Sequence, residues 1–432
     1  MRTTYQITEY GSFVAGKTVD GYVTLPAHTF EALENFILAN SGSGDDAPDL
    51  MGLSVRKGVG KVITAKNYVG VITMNDGTTI EILPKINSKV PQSPTMVKRL
   101  LIDMLKTLRD SPYKSIQTTN VDVEKMTLFE IFIRMFVDEV FSIVKRGLKC
   151  GYVSIEENTL VFKGKLLISS HIRHNYAHKE RSYVTYDDFN TNRPENRLVK
   201  AALLYLYRQT GSSRNKADIR TLLNAFAEVP TSANFSEDFA KVSSDRNMAD
   251  YHTALLWSKV FLMGKSFTSF SGSKIAFALL FPMETLFESY VADQMRRVLD
   301  ARTMKLSAQD KAFHLFDHPS RKFQMRPDIV VTRRFDRAVF VCDTKWKLLD
   351  AARMNFGISQ SDMYQMYAYQ KKYAAKSVTL IYPLCSNLND KNAPAYSSKD
   401  GVTVKVRYVD LFNIRESLLR IVSGFDNKEQ QR

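Results

Sequence analysis

Two short apolar runs each carry an aspartate where a core residue would be expected, and a lysine follows the second aspartate after one spacer. The stretch reads MRPDIVVTRRFDRAVFVCDTKWK, with Asp328 at the start of one apolar run and Asp343 at the end of the next. Side chains alternate across a strand, so Asp343 and Lys345 share a face. The FDR sequence at 335–337 is typical of a tight turn. Such a turn would fold the two strands together and let the two carboxylates meet across the ladder.

This arrangement of charges suits the hydrolysis of a phosphodiester. Two close carboxylates repel each other and lose hydration unless a positive charge lies between them. Mg²⁺ prefers oxygen ligands and commonly takes one or two protein carboxylates, with water and phosphate at its other positions. A bound Mg²⁺ lowers the pKa of its water and stabilises charge on a scissile phosphate. Lys345 beside it would orient or deprotonate that water.

Two predicted helices flank these strands and carry further polar side chains. METLFESYVADQMRRVLD precedes the strands, and SDMYQMYAYQKKYA follows them. We predict Glu288 on the first helix as a third carboxylate, although Glu284 lies one turn earlier on the same face. Gln365 on the second helix would hydrogen-bond near the site, with Tyr369 one turn further along. An Asp-x-Lys by itself is often only an exposed ion pair, and this context favours a catalytic site.

Pro327-Asp328 followed by Asp343-Thr344-Lys345 resembles the PD-(D/E)XK nuclease superfamily. A longer set of segments is similar to McrC, the cleavage subunit of McrBC-type modification-dependent restriction systems. In the C-terminal part these segments are LFESYV, MRPDIVV, VCDTKWK and DMYQMYAY. In the N-terminal part they are NYVGVI with IEILPKI, RGLKCGYV leading to FKGKLLIS, and NRLVKAALLYL. The resemblance therefore runs in patches over most of the chain.

The resemblance implies a role for each residue of the site. Asp328, Asp343 and Glu288 would be metal ligands, Lys345 the catalytic lysine and Gln365 a supporting residue. The cofactor would be Mg²⁺, with Mn²⁺ as a substitute. The expected reaction is cleavage of double-stranded DNA. Two other readings stay open, a non-catalytic adaptor with a nuclease-like fold and a stand-alone DNA repair nuclease.

The resemblance also implies a partner. McrC-like proteins depend on a hexameric AAA+ NTPase, McrB-like, which uses GTP in the best-known systems, and the choice between GTP and ATP stays open here. The N-terminal half of McrC docks on the ring of the partner and stimulates its hydrolysis. The partner usually reads the modified cytosine in the DNA.

A nucleotide site in this chain itself is not expected. RKGVGKVIT at 56–64 superficially resembles a phosphate-binding loop, but Val62 stands where Ser or Thr is needed and the earlier glycine is missing. A second set of residues, the histidines of SSHIRHNYAHKERS, has spacing that a metal site could use. No acid or cysteine completes a convincing metal-binding set, and the stretch is otherwise basic and polar, so a solvated or DNA-facing segment is the better interpretation.

The pattern of elements predicts a multidomain protein of mixed α and β structure, α+β or α/β. Residues 1–95 are predicted as a β-rich docking region, where NDG joins two strands in a hairpin. Residues 96–265 would complete the N-terminal module with helices and mixed structure. Residues 266–432 are predicted as a PD-(D/E)XK domain, a mixed sheet flanked by helices.

Four local predictions accompany this division. CGYVSIEENTLVFKGKLLI is interpreted as a strand pair, and Pro194 as the first turn of a helix. A loop is predicted at 40–49 and a polar linker near 240–250. The apolar helix at 128–148 is predicted to be core.

Composition and charge indicate the class of protein and of partner. The net charge is +15, from 60 Lys and Arg against 45 Asp and Glu, which suits nucleic acid or simply a basic soluble protein. The three cysteines are far apart and form no CxxC pair, which argues against a disulfide framework and a cysteine-based zinc site. The first residues lack the apolar core of a signal peptide, and no apolar run reaches the length of a membrane span. The expected location is a reducing cytoplasm.

Overall fold

The structure is a computed structural model that describes most of the chain. The described residues are 3–40, 50–87, 92–108, 112, 126–242, 246–263, 275–388 and 392–426. Residues 41–49 of the predicted loop lie outside them.

Nineteen strands and eleven α-helices are defined within these ranges. The strands are β1 (Thr4–Thr8), β2 (Ser12–Ala15), β3 (Val23–Leu25), β4 (Met51–Arg56), β5 (Gly60–Ala65), β6 (Tyr68–Met74), β7 (Thr79–Leu83), β8 (Gly151–Thr159), β9 (Lys165–Leu166), β10 (Ser182–Asn190), β11 (Ile275–Pro282), β12 (Met304–Ala308), β13 (His314–Phe316), β14 (Lys322–Gln324), β15 (Ile329–Arg333), β16 (Val339–Thr344), β17 (Ser377–Pro383), β18 (Ala395–Ser397) and β19 (Thr403–Val409). The α-helices are α1 (Ala27–Asn40), α2 (Pro94–Lys106), α3 (Leu128–Arg146), α4 (Ile168–Asn175), α5 (Pro194–Gln209), α6 (Ser213–Ala225), α7 (Phe235–Lys241), α8 (His252–Met263), α9 (Met283–Val298), α10 (Gln360–Lys372) and α11 (Ile414–Asp426).

The N-terminal part is built on two four-stranded sheets, ordered β1-β7-β6-β11 and β3-β2-β5-β4. The hairpin predicted around NDG is confirmed, because β6 and β7 pair antiparallel with Thr73 opposite Thr79. The segment that resembled a phosphate loop lies instead in the β4–β5 hairpin, where Arg56 pairs with Gly60. Because a strand and not a helix follows its glycine, the backbone is not shaped as a phosphate cradle.

The strand β11 returns the chain to the first of these sheets. It pairs antiparallel with β6. Gly70 of β6 has φ +140°, and a Cβ there would lie 2.0 Å from the carbonyl oxygen of Leu279. The two backbones approach this closely only because the residue is glycine. The strand β11 therefore completes the N-terminal sheet before the chain enters the C-terminal one. The domain boundary predicted at 266 lies outside the described residues.

A layer of helices packs against the first sheet. The helix predicted as core at 128–148 is α3, whose inner face is buried. Its Phe132 and Phe136 pack against Trp257 and Phe261 of α8, with ring centroids 5.9 and 5.7 Å apart. No helix in the described ranges has the length and apolarity to cross a membrane. Burial of α3 against other helices accounts for its apolar character.

Two local predictions are wrong and one is confirmed in this region. The helix predicted at Pro194 begins there. The segment 150–168 is not a simple strand pair, because β10 lies between β8 and β9 and pairs antiparallel with both. The polar stretch near 240–250 is not a linker throughout, since α7 ends at Lys241 and a 3-10 helix spans Arg246–Tyr251. Residues 243–245 between them lie outside the described residues. Tyr251 is buried and donates to Asn196 Oδ1 at 2.8 Å, which ties this stretch to α5.

The C-terminal part is a six-stranded mixed sheet, ordered β12-β15-β16-β17-β19-β18. The FDR turn is confirmed, because β15 and β16 pair antiparallel with Thr332 opposite Val339. The strands β16, β17 and β19 run parallel and are joined through α10 between the first two. The helices α9 and α11 pack on each other, and α9 also contacts β16. The predicted mixed α and β architecture is therefore confirmed.

Candidate active site

The two aspartates of the sequence motif lie side by side at the ends of paired strands. Ile329 at the start of β15 pairs with Cys342 of β16, which places Asp328 beside Asp343. Asp343 is only 1% exposed. Asp328 Oδ2 accepts hydrogen bonds from the backbone N–H and the hydroxyl of Thr344, at 2.7 and 2.6 Å. Thr344, the residue after Asp343, therefore holds the carboxylate of Asp328 in place.

Lys345 connects this pair to the helix α10. Its Nζ lies 2.7 Å from Asp343 Oδ2, 3.7 Å from Asp362 Oδ1 and 3.1 Å from Gln365 Oε1. Gln365 Nε2 in turn donates to the hydroxyl of Tyr369 at 2.8 Å. Residues of β16 and α10 thus converge around one ammonium group.

Burial and mutual repulsion shape the ionisation of this cluster. Burial raises the pKa of Asp343 to about 7, the charge of Asp328 adds to the rise, and Lys345 opposes it. Burial also raises the pKa of Asp328, against hydrogen bonds from Thr344 that lower it. Burial alone would lower the pKa of Lys345, but the surrounding carboxylates, Asp343 first, raise it above its ordinary value. Lys345 is therefore an ammonium here, which favours orienting water and stabilising negative charge over abstracting a proton.

The predicted third carboxylate is not brought into this cluster. Glu288 lies half-buried on α9, one residue after Phe287, whose ring packs against Trp346 at 5.4 Å. Glu284 lies near Glu9, where its charge helps to raise the pKa of Glu9. Across the described ranges, no three His, Cys, Asp or Glu side chains form a group that could hold a metal ion. The assignment of Glu288 as a metal ligand stays a prediction.

Two residues of the site were not identified from the sequence. Asp362 faces Lys345 from α10, three residues before Gln365, and Thr344 binds Asp328. The helical spacing of Asp362 and Gln365 puts both on one face, so the sequence held the signal for Asp362. Thr344 offered no comparable signal, because its role depends on the register between β15 and β16.

The donor set fits one hard divalent cation. Asp328 and Asp343 offer carboxylate oxygens on neighbouring, mutually repelling groups, and a cation between them would offset that repulsion. Mg²⁺ is bound by one or two carboxylates with water at its remaining positions, which matches two aspartates without a third acid. The histidine segment noted in the sequence is not arranged as such a donor set. The ring of His171 forms a hydrogen bond with Asn175 inside its own helix.

A profile of the family described as "McrBC 5-methylcytosine restriction system component" matches residues 63–383. The chain belongs to this family. The matched range contains β6, β7 and β11 of the first sheet, the helical layer and every residue around Lys345, and it confirms the resemblance to McrC predicted from the sequence. None of the curated proteins matches this chain.

This McrBC family member shares its fold with one chain of a solved assembly. One is a refined half-complex from the tetradecameric assembly of Thermococcus gammatolerans McrB AAA+ hexamers with bound McrC. A chain in it is 19% identical, covers 98% of this chain and 100% of its own length, and aligns with a TM-score of 0.67. A chain in the cryo-EM structure of the Thermococcus gammatolerans McrBC complex is 20% identical over 69% of this chain and 88% of its own, with a TM-score of 0.48.

Proposed function

We propose that this chain is the Mg²⁺-dependent endonuclease subunit of an McrBC-type restriction system, with a PD-(D/E)XK active site. The observation that supports this most strongly is the pair of the half-buried Asp328 and the buried Asp343, with the Lys345 ammonium 2.7 Å from the second carboxylate. Burying two acids is costly, and a site retains such strain where function needs it. The net charge of +15 suits a DNA substrate.

Each residue has a distinct part in the proposed reaction. Asp328 and Asp343 would hold Mg²⁺, which when bound supplies a Lewis acid and a water of lowered pKa. Lys345 stabilises negative charge developing on the phosphate and orients the attacking water. Gln365 fixes the position of the ammonium through its Oε1, 3.1 Å away. Thr344 fixes the carboxylate of Asp328 through two hydrogen bonds.

The proposed partner is an McrB-like AAA+ NTPase, whose hydrolysis this chain would stimulate. The Thermococcus gammatolerans assembly consists of McrB AAA+ hexamers with bound McrC. The partner would supply nucleotide hydrolysis, since the chain's own glycine-lysine segment forms a β-hairpin. The trigger for cleavage would be a modified cytosine, in line with the description of the family.

Besides the docking region predicted at residues 1–95, a surface suited to that partner is the arm formed by residues 151–190, which comprises β8, β9, β10 and α4. Its elements contact mainly one another. It exposes Tyr152 and Phe189, whose rings lie 5.1 Å apart, and also Phe162 and Tyr176. An apolar surface of this kind is typical of a protein interface and costly to leave in water.

The decisive experiment measures DNA cleavage by the chain purified together with whatever it binds in its own host. Methylated and unmethylated plasmid are incubated with Mg²⁺ and with GTP, ATP or no nucleotide. Three proteins are compared: wild type, Asp343→Asn, and the control Asp103→Asn. Asp103 forms an exposed ion pair with Lys106 on α2, so its loss should change little.

We expect nucleotide-dependent linearisation by wild type and the control, and none by Asp343→Asn. Asp343→Asn should still copurify with the partner and stimulate its hydrolysis. Cleavage by Asp343→Asn at the wild-type rate would show that the active site is elsewhere. A copurified partner without cleavage of any substrate would favour the adaptor, and cleavage without partner or nucleotide would favour a stand-alone repair nuclease.

A further inference from the structure

A short hairpin with exposed aromatic tips directly precedes the first active-site aspartate. The strands β13 and β14 pair antiparallel, with Phe316 opposite Lys322. Phe316 and Phe323 are 54% and 73% exposed, and their rings meet edge to face at 6.0 Å. Phe323 also has φ +56°, a backbone conformation that costs energy for a bulky residue. An exposed aromatic side chain held in a strained backbone points to a binding role.

The charge around these rings is strongly positive. Residues 311–326 contain four Lys or Arg, all of them exposed, and one acid. That acid, Asp317, forms an ion pair with Lys372 of α10 at 3.0 Å. Arg321 and Lys322 immediately precede Phe323. The cores of protein–protein interfaces contain few charged residues, whereas surfaces that bind phosphate groups need positive charge.

The hairpin is fixed relative to the active site. Phe313 at its base packs edge to face on Tyr373, the residue after α10, at 4.6 Å, and the backbone N–H of Met325 donates to the carbonyl of Phe313 at 2.9 Å. Phe323 and Asp328 are only five positions apart in the chain, so their Cα atoms are at most about 18 Å apart. That distance is about five base-pair steps of a duplex.

We propose that the β13–β14 hairpin enters a groove of the substrate DNA next to the scissile phosphate. Phe316 and Phe323 contact the bases, and Arg321 and Lys322 contact the flanking phosphates. A two-stranded ribbon fits a DNA groove, and exposed phenylalanines act as wedges against base steps. This inference rests on the proposed function, because it takes DNA as the substrate.

The test measures DNA binding by the full-length chain, without metal so that cleavage cannot interfere. A fluorescently labelled duplex is titrated with wild type, with the double variant Phe316→Ala/Phe323→Ala, and with the control Phe335→Ala. Phe335 is matched to the tips, since it is 70% exposed in the turn between β15 and β16 of the same domain. Thermal unfolding of each variant verifies that these exposed substitutions leave the fold intact.

We expect the double variant to bind at least about tenfold more weakly, the loss typical of an aromatic–base contact. Phe335→Ala should stay within about twofold of wild type, as surface substitutions usually do. Arg321→Ala/Lys322→Ala should reduce the slope of log affinity against log salt by about two, one for each phosphate contact.

Two results would overturn the inference. One is equal DNA affinity for the double variant and Phe335→Ala, and the other is loss of the copurified partner in the double variant with DNA binding unchanged. In either case loss of plasmid cleavage in Asp343→Asn would leave the proposed nuclease function standing. Absence of DNA binding by every protein, together with absence of cleavage, would instead contradict the proposed function itself.

Discussion

Trp346 donates its indole N–H to both carboxylate oxygens of Glu9, each at 3.1 Å. The two residues are 337 positions apart in the chain. Glu9 follows β1 of the N-terminal sheet and also accepts from the backbone N–H of Lys85 at 2.9 Å. Trp346 directly follows Lys345. One buried carboxylate therefore joins the N-terminal sheet to the residue beside the proposed catalytic lysine.

The first prediction concerns the strength of this link. Trp346→Phe keeps a ring against Phe287 but leaves the buried carboxylate of Glu9 short of a donor, which should lower the free energy of unfolding by about 1–3 kcal/mol. In a double-mutant cycle with Glu9→Leu we expect a coupling of about 1 kcal/mol, measured by urea unfolding. Additive effects of the two substitutions would mean that the contact contributes nothing to stability.

The second prediction is a pH dependence of stability. Burial raises the pKa of Glu9 to about 7 and the charge of Glu284 adds to this, while hydrogen bonds from Lys85 and Trp346 oppose it. The folded protein thus holds a proton that the unfolded chain releases near pH 4.5. This contribution to stability is complete below about pH 4.5 and is lost as the pH rises to about 7.

Glu9→Gln replaces the titrating carboxyl group by an amide, and so removes its contribution to the pH dependence of stability. We therefore expect its urea midpoint to fall less than the wild-type midpoint between pH 5 and pH 7. Parallel midpoint curves for the two proteins would show that Glu9 does not titrate in this range.

The third prediction separates positioning of Lys345 from DNA binding. Gln365→Leu removes the oxygen that accepts from Lys345 Nζ, and cleavage should fall by about 10- to 100-fold with DNA affinity unchanged. Tyr369→Phe is the matched control, since it removes only the hydroxyl that accepts from Gln365 Nε2. Single-turnover cleavage rates measure both. An equal loss in the two variants would mean that the hydrogen bond to Lys345 is unimportant.

The fourth prediction concerns a buried acid that ties the N-terminal sheet to its helices. Glu81 of β7 is 1% exposed, pairs with Lys98 of α2 at 2.7 Å and accepts from the backbone N–H of Leu128 at 2.5 Å. Glu81→Ala leaves Lys98 and the start of α3 without this acceptor, and should cost about 3–5 kcal/mol in chemical unfolding. Asp103→Ala, which breaks the exposed pair with Lys106 on the same helix, should cost less than about 1 kcal/mol.

The fifth prediction concerns docking of the partner. Tyr152→Ser/Phe189→Ser removes an exposed ring pair from the arm and should abolish copurification of the partner, with thermal stability unchanged. Phe335→Ser provides an exposed aromatic control outside the arm. Retention of the partner by the double variant would place the docking surface elsewhere.

Several features of the chain follow from local sequence alone. The hairpin of β6 and β7 and the helices α3, α5 and α9 were predicted because turn residues and apolar periodicity act over a few residues. The shared face of Asp343 and Lys345 follows in the same way from the two-residue period of a strand. In this way the sequence alone determined the two aspartates and the lysine of the site, together with the strands that hold them.

Tertiary structure alone decided which distant segments meet. The insertion of β10 between β8 and β9, and the return of β11 to β6, depend on pairing between segments far apart, and local patterns do not encode this pairing. The contact between Glu9 and Trp346 likewise arises only when β1 and β16 are brought together. Burial was decided at the same level, and with it the raised pKa values of Asp343 and Glu9, because desolvation depends on everything that packs around a carboxyl group.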